Sequence, residues 1–189
     1  RKMGTLNLGS TQISSSGTTI VSSNNLNLSG DWINAPSGTV ITSKYGYLTS
    51  SFSTTGDGDS ETGLFVELVR KLAGGTSSGT STIHVTITGG CQYSNSNGTM
   101  GGTSIYRKVN GGTASIQAYV DAGWSSVNTP YRPHSGQHID SSPFAAGTTL
   151  RFDARARSRG SGGGNRYDFH TIVGGVSNYV TMTAYEIVN

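Results

Sequence analysis

Arg151, Arg155, Arg157 and Arg159 recur at every second residue apart from an intervening Asp153. In an extended chain that spacing puts four guanidinium groups on one surface. Such a basic face can grip acidic sugars or phosphates through paired N–H donors. The alternative is an outer face laced with cross-strand or intersubunit ion pairs, which needs no ligand.

A second constellation is Trp124, Tyr131, Arg132, His134 and His138, read as one long loop rich in Gly, Asn and Ser. Aromatic rings beside polar side chains suit stacking on sugar rings, although packing beneath a loop uses the same residues. His134 and His138 stand four apart, a spacing that faces one metal only on a helix, and Pro133 and Gly136 argue against a helix. Asp57, Asp59 and Glu61 match the opening of a calcium loop but lack the rest of its twelve-residue pattern. No metal site and no cofactor are expected.

Other chemistry finds little footing. Glycoside cleavage needs two carboxylates flanking a sugar, and the ten acidic residues are mostly isolated. No GxSxG nucleophile elbow, phosphate-cradling GxxxxGK[ST] or strand-bound GxGxxG occurs, and Gly160 to Gly164 reads as a hairpin tip. The expectation is a protein that is not an enzyme. With 13 basic against 10 acidic residues and a net charge of +3, there is no Lys/Arg run of the nucleic-acid type. The lone Cys91 excludes an internal disulfide framework, and no apolar run reaches bilayer length, so membrane insertion is not expected.

The elements that must carry these residues are strands. The 28 glycines and the long Ser, Thr and Asn tracts suit short strands joined by many turns. Strands are expected at 39–48, 64–72, 81–88, 103–109, 114–120, 148–158, 166–173 and 178–188. Ile83, Val85 and Ile87 alternate with His84, Thr86 and Thr88, as in a half-buried strand. In the last strand Val180, Met182, Ala184, Glu186 and Val188 oppose Tyr179, Thr181, Thr183, Tyr185 and Ile187. Both faces are largely apolar, as in a central strand or one covered by a neighbouring subunit. Eight strands with Gly-rich turns point to an all-β, antiparallel two-sheet jelly-roll sandwich.

Residues 1–34 differ from the rest. Leu6-Asn7-Leu8-Gly9-Ser10 returns as Leu26-Asn27-Leu28-Ser29-Gly30, with Ile13 and Ile20 between. Each short strand offers too little apolar surface to fold alone, so a short β-rich trimerisation segment is expected, with Leu6, Leu8, Ile13, Ile20, Leu26 and Leu28 meeting their copies about an axis. A Ser-rich linker is the alternative. Pro36 and Gly38 mark the junction to a head domain over 35–189.

Ala35-Pro-Ser-Gly-Thr-Val-Ile41, the run from Asp140 to Phe152, and Thr181-Met-Thr-Ala-Tyr-Glu-Ile187 together resemble virion surface proteins of tailed bacteriophages. The similarity is to C-terminal C1q/TNF-like jelly-roll domains of tail fibres and related proteins, over roughly residues 35 to 188. That resemblance implies a homotrimer on the exterior of a phage tail or capsid, in contact with other virion proteins, and no catalytic residues. It suggests a trimeric tail fibre or receptor-binding tip that contacts host surface polysaccharide, or alternatively a capsid decoration protein.

Overall fold

The computed structural model describes residues 6–8, 11–13, 21–22, 25–26, 36–48, 50–55, 58–94, 99–125, 129–159, 166–169, 172–173, 176–177 and 179–189. It divides into two compact units, Arg1–Ile33 and Asn34–Asn189. The first holds two short antiparallel hairpins, β1 (Leu6–Leu8) with β2 (Thr11–Ile13) and β3 (Val21–Ser22) with β4 (Asn25–Leu26). Of the residues expected to meet their copies, Leu6, Leu8, Ile13 and Leu26 lie on these strands, whereas Ile20 and Leu28 lie outside the described residues.

The second unit begins with β5 (Val40–Tyr47), β6 (Phe52–Thr54), β7 (Ser60–Val69) and β8 (Ser81–Ser94). β9 (Thr99–Val109), β10 (Ser115–Ser125), β11 (Thr129–Asp140) and β12 (Thr149–Arg159) follow. The chain closes with β13 (Arg166–Phe169), the small hairpin of β14 (Ile172–Val173) and β15 (Val176–Ser177), and β16 (Thr181–Val188). All named pairings are antiparallel.

One sheet runs β10-β9-β12-β7; in the other β16 lies between β5 and β8, β11 flanks the far edge of β8, and β13 joins β8 to β6. Counting only the eight long strands in chain order, the sheets read 1-8-3-6 and 2-7-4-5. This interleaving, in which consecutive strands mostly alternate between sheets, is the double Greek key of a jelly roll.

Alternation builds the core. In β7, Thr62, Leu64, Val66 and Leu68 are buried while Phe65, Glu67 and Val69 face out. Ile83, Val85 and Ile87 meet Phe152, Ala154 and Ala156 of the opposite sheet, with Val180, Met182 and Ala184 beside them. Every one of these side chains is at most 2% exposed, so the two inner faces form one dry layer. Along one margin β5 runs against β7 so closely that a Cβ on Gly46 would collide with the Phe65 carbonyl oxygen. The β9–β10 connection turns on Asn110 and Gly111, both with positive φ (48° and 73°), a conformation that Asn and Gly tolerate best.

Three expectations about elements change. The expected strand at 64–72 starts earlier and stops at Val69, because Arg70 turns inward to a polar cluster instead of continuing the ladder. The segment read as one long loop around Trp124 to His138 is instead the end of β10 and most of β11. In the second unit β6, β11 and β15 are additional to the eight expected strands, and the strand expected at 166–173 divides into β13 and β14, the latter pairing with β15 in its own hairpin.

Candidate functional site

Three groupings of side chains emerge: the outer face of each sheet, and a buried polar cluster at one end of the sandwich.

On the four-stranded sheet, β12 lies between β7 and β9. Register sets Arg151 opposite Glu67 and Lys108, and Arg155 opposite Glu61 and Ser104. Arg151 donates to Asp153 Oδ1 at 2.8 Å and covers the Phe65 ring at 3.8 Å. Arg155 donates to Glu61 Oε1 at 2.9 Å and sits 4.1 Å above the Tyr106 ring. Arg157 lies 4.3 Å over Tyr119, with its Nε 3.9 Å from Asp59 Oδ1. Lys108 bridges Glu61 and Asp153 at 3.4 and 3.6 Å.

Each of these guanidinium groups therefore has a ring on one side and a carboxylate on another. Stacking and ion pairing together hold a planar cation better than either does alone. Four cations (Lys108, Arg151, Arg155, Arg157) pair with three carboxylates (Asp59, Glu61, Asp153) on this face, and Glu67 stands opposite Arg151 in the register. An incoming anion would have to displace a resident carboxylate. The Arg159 side chain lies outside the described residues.

The charges leave marks on titration. The Lys108 ammonium, hydrogen-bonded to Glu61 and helped by its charge and that of Arg155, holds the Glu61 carboxyl below its usual range. Burial, together with a 2.7 Å hydrogen bond donated to Asp59 Oδ2, pushes the Tyr106 phenol up to about 12. Asp59 and Glu61, two of the acids that suggested a calcium loop, are thus committed to neighbouring strands; Asp57 lies outside the described residues. Among the described residues no three His, Cys, Asp or Glu side chains converge as metal ligands.

The outer face of the six-stranded sheet is chemically different. Cross-strand register arranges Tyr47, Thr181, Thr88 and Ser135 in one row. Tyr45, Thr183, Thr86 and Gln137 make the next row, and Ser43, Tyr185, His84 and Ile139 the third. Tyr45, Tyr47 and Tyr185 are 62%, 54% and 38% exposed, Ile139 is 52% exposed, and Tyr179 just beyond the first row is 58% exposed. The Tyr45 and Tyr47 rings lie 5.8 Å apart at 32°. Among these positions there is no Lys, Arg, Asp or Glu. The last strand accordingly has one buried face and one partly exposed, hydroxyl-rich face.

The buried cluster ties three strands and a loop together. Arg70, 1% exposed, donates to the Ser142 carbonyl oxygen at 3.1 Å, to the Ser81 hydroxyl at 3.1 Å and to the Ser81 carbonyl oxygen. Glu186, fully buried, accepts from the Lys71 and Leu72 backbone N–H groups and, at 2.7 Å, from the Ser81 hydroxyl. Next to it, Arg107 donates to Asp140 Oδ2 at 2.6 Å and to the Ser142 hydroxyl at 2.7 Å, and covers Phe144 at 4.8 Å. Burial alone would raise the Asp140 carboxyl, but the bonds from Arg107 and from the Ser142 amide and hydroxyl outweigh it and hold the group below its usual value. Well-bonded buried charges of this kind lock geometry, because losing one partner strands the other.

The five residues expected to contact glycan lie on two strands rather than on one loop. Trp124 lies near the end of β10, opposite Met100, while Tyr131, Arg132 and His134 lie in the first half of β11. Their side chains lie outside the described residues. His138 points inward opposite Val85, its ring 6.4 Å from Phe152 and its Nε2 shut off from solvent without a hydrogen-bond partner. Burial lowers its basicity. A ring between the sheets cannot touch a surface polysaccharide, so His138 leaves the contact set.

The sequence reading overlooked both the tyrosine face and the Arg70–Glu186 cluster. Signals for the cluster existed. The alternation that buries Leu64, Val66 and Leu68 also places Arg70 inside, and Glu186 shares the inward set of Val180, Met182 and Ala184. A charge in register with core apolar residues marks a buried network.

The fold defines an all-β, two-sheet jelly-roll sandwich. Among known proteins, no family model and no curated sequence matches this chain. Among solved structures it is similar to the D431N mutant VP2 protein of infectious bursal disease virus, seen in derived T=1 particles. The TM-score is 0.30 at 16% identity, over 80% of this chain. The chain spans 37% of that protein's length, a likeness too slight to bear on function.

Proposed function

We propose that this chain is a non-catalytic structural protein on the exterior of a tailed-phage virion. In this reading it is a homotrimer whose N-terminal segment joins three copies and whose jelly-roll head meets host surface glycans. The observation that carries it is the strand order, 1-8-3-6 on 2-7-4-5, in the segment whose motifs resemble phage fibre heads. The jelly roll recurs in viral surface and lectin domains. The use of charge supports a structural role, since Arg70, Glu186, Arg107, Asp140 and, through Lys108, Asp153 are all engaged in holding strands to one another or to the loops beside them.

Immunogold labelling of intact particles, with serum raised against the purified chain, tests the reading. Gold at the tail tip is the expected outcome. Gold over the head would replace the fibre reading with a decoration protein, and particles free of gold would overturn a virion role. Native mass measurement should return three times the 19.6 kDa chain mass.

A further inference from the structure

We infer that the outer face of the six-stranded sheet, along β5 and β16, is a binding strip for an uncharged linear polysaccharide. This takes only the ligand class from the proposed function and assigns it a different place, away from Trp124 and Tyr131.

Tyr179, Tyr47, Tyr45 and Tyr185 fall one to a row along the two adjacent strands. Same-face residues two apart on a strand are separated by about 6.8 Å, and the Tyr45 and Tyr47 rings lie 5.8 Å apart, so the phenols succeed one another along the strip. Beside them the rows continue with Thr181, Thr183, Thr86, Thr88, Gln137 and His84, all bearing hydrogen-bonding groups. The Thr88 and Thr181 hydroxyls already pair across the strands at 2.9 Å, and each keeps capacity for a further bond.

A sugar chain offers what this surface lacks: apolar ring faces to lie on phenols and hydroxyls to pair with threonines. Charge decides the subclass. An acidic polysaccharide would gain little from these rows, whose described positions hold no Lys or Arg and beside which Lys44 of β5 alternates to the opposite side of its strand, and one on the other sheet would have to displace resident carboxylates. A second copy of the chain fits less well. Protein interfaces centre on apolar contact inside a polar rim, whereas here Tyr45, Tyr47 and Ile139 lie on the flanking strands β5 and β11 and the central strands β16 and β8 present Thr181, Thr183, Thr86, Thr88 and His84 beside the one ring of Tyr185. A flat partner would bury those polar groups unpaired.

Affinity electrophoresis of the full chain, in gels containing dextran, laminarin, hydroxyethylcellulose or polygalacturonate, tests the assignment. At least one neutral polymer should retard the protein while polygalacturonate does not. The Tyr45→Ser/Tyr47→Ser double variant and Tyr185→Ser should each weaken retardation by about tenfold or more. These side chains are exposed, so the variants should fold, and unchanged circular dichroism would verify it. Tyr119→Ser on the other sheet should behave as the unaltered protein. If only Trp124→Ala/Tyr131→Ala abolishes retardation, glycan recognition survives and the strip is wrong. Lack of retardation by every neutral polymer overturns the strip, and so does a double variant that keeps its retardation. Dissociation of the oligomer by Tyr45→Ser/Tyr47→Ser would instead give the face to a second copy.

Discussion

The outer faces of the two sheets share one backbone geometry and almost nothing else. On the four-stranded sheet, Lys108, Arg151, Arg155 and Arg157 interlock with Asp59, Glu61 and Asp153, and the three arginines lie over Phe65, Tyr106 and Tyr119. On the six-stranded sheet, Tyr45, Tyr47 and Tyr185 stand in the open among threonines, in rows whose described positions hold no Lys, Arg, Asp or Glu. Both faces expose rings, but on the four-stranded sheet arginines lie over Phe65 and Tyr119; a face that pairs its own groups in this way holds strands together, whereas one with rings beside spare hydroxyls keeps capacity for recognition. Alternation serves both equally, because it fixes which residues face outward and not what they do there.

The largest effect should come from the seam that both faces share. Glu186→Ala strips the acceptor from two backbone amides and the Ser81 hydroxyl and leaves Arg70 buried without its nearby counter-charge. Loss of one partner of a buried charged network costs about 3–5 kcal/mol, and urea unfolding should register it. A variant as stable as the original would remove the cluster from the account.

Asp153→Ala should rank next. The carboxylate is 4% exposed and serves both Arg151 and Lys108, so its loss should cost about 1–3 kcal/mol. Part of the remaining four-stranded face is exposed to ions, so the deficit should shrink in high salt.

Smaller effects should follow pH. Burial lowers the basicity of His138, so the folded state binds fewer protons there than the unfolded chain. Its contribution is intact above the ordinary His value of 6.5 and is lost as pH falls below it. Melting at pH 7 and pH 5 should show the decline, and His138→Phe should flatten it. Asp140, held below its ordinary 3.8, adds acid sensitivity only beneath that value. At the alkaline end the sign reverses. The Tyr106 proton is retained up to about 12, so its contribution is complete below the ordinary phenol value of 10.0 and disappears as pH rises through 12. Absorbance titration should find Tyr106 among the last phenols to ionise, and Tyr106→Phe should remove that step.

The smallest stability change should belong to Tyr45→Ser and Tyr185→Ser, within about 0.5 kcal/mol of the unaltered chain because exposed positions contribute little. A large loss would mean that the tyrosine face is structural, and the contrast between the two faces would collapse.

Sandwich class and most strands were legible, since strict alternation in Ile83–Ile87 and Leu150–Ala156 leaves one apolar set per strand. β11 was hidden because its inward positions are Gly136, His138 and Asp140 rather than aliphatic residues. At Gly136 a Cβ would collide with Val120, and His138 and Asp140 sit in the polar end of the sandwich. The arginine file was legible as a face, but its pairing was not, because Glu61 and Asp59 lie about ninety residues away in sequence and only the register of β7 against β12 brings Glu61 to Arg155. The tyrosine strip was illegible for the same reason: Tyr45 and Tyr185 belong to the first and last long strands, and nothing local tells that those strands pair.

Tyrosine nitration of the full chain near neutral pH, mapped by mass spectrometry, tests the contrast between the faces most directly. Tyr45, Tyr47 and Tyr185 should react readily while Tyr106, its proton held by Asp59, resists. Protection of Tyr45 and Tyr47 equal to that of Tyr106 would mean that the uncharged face is covered in solution, and would contradict the account.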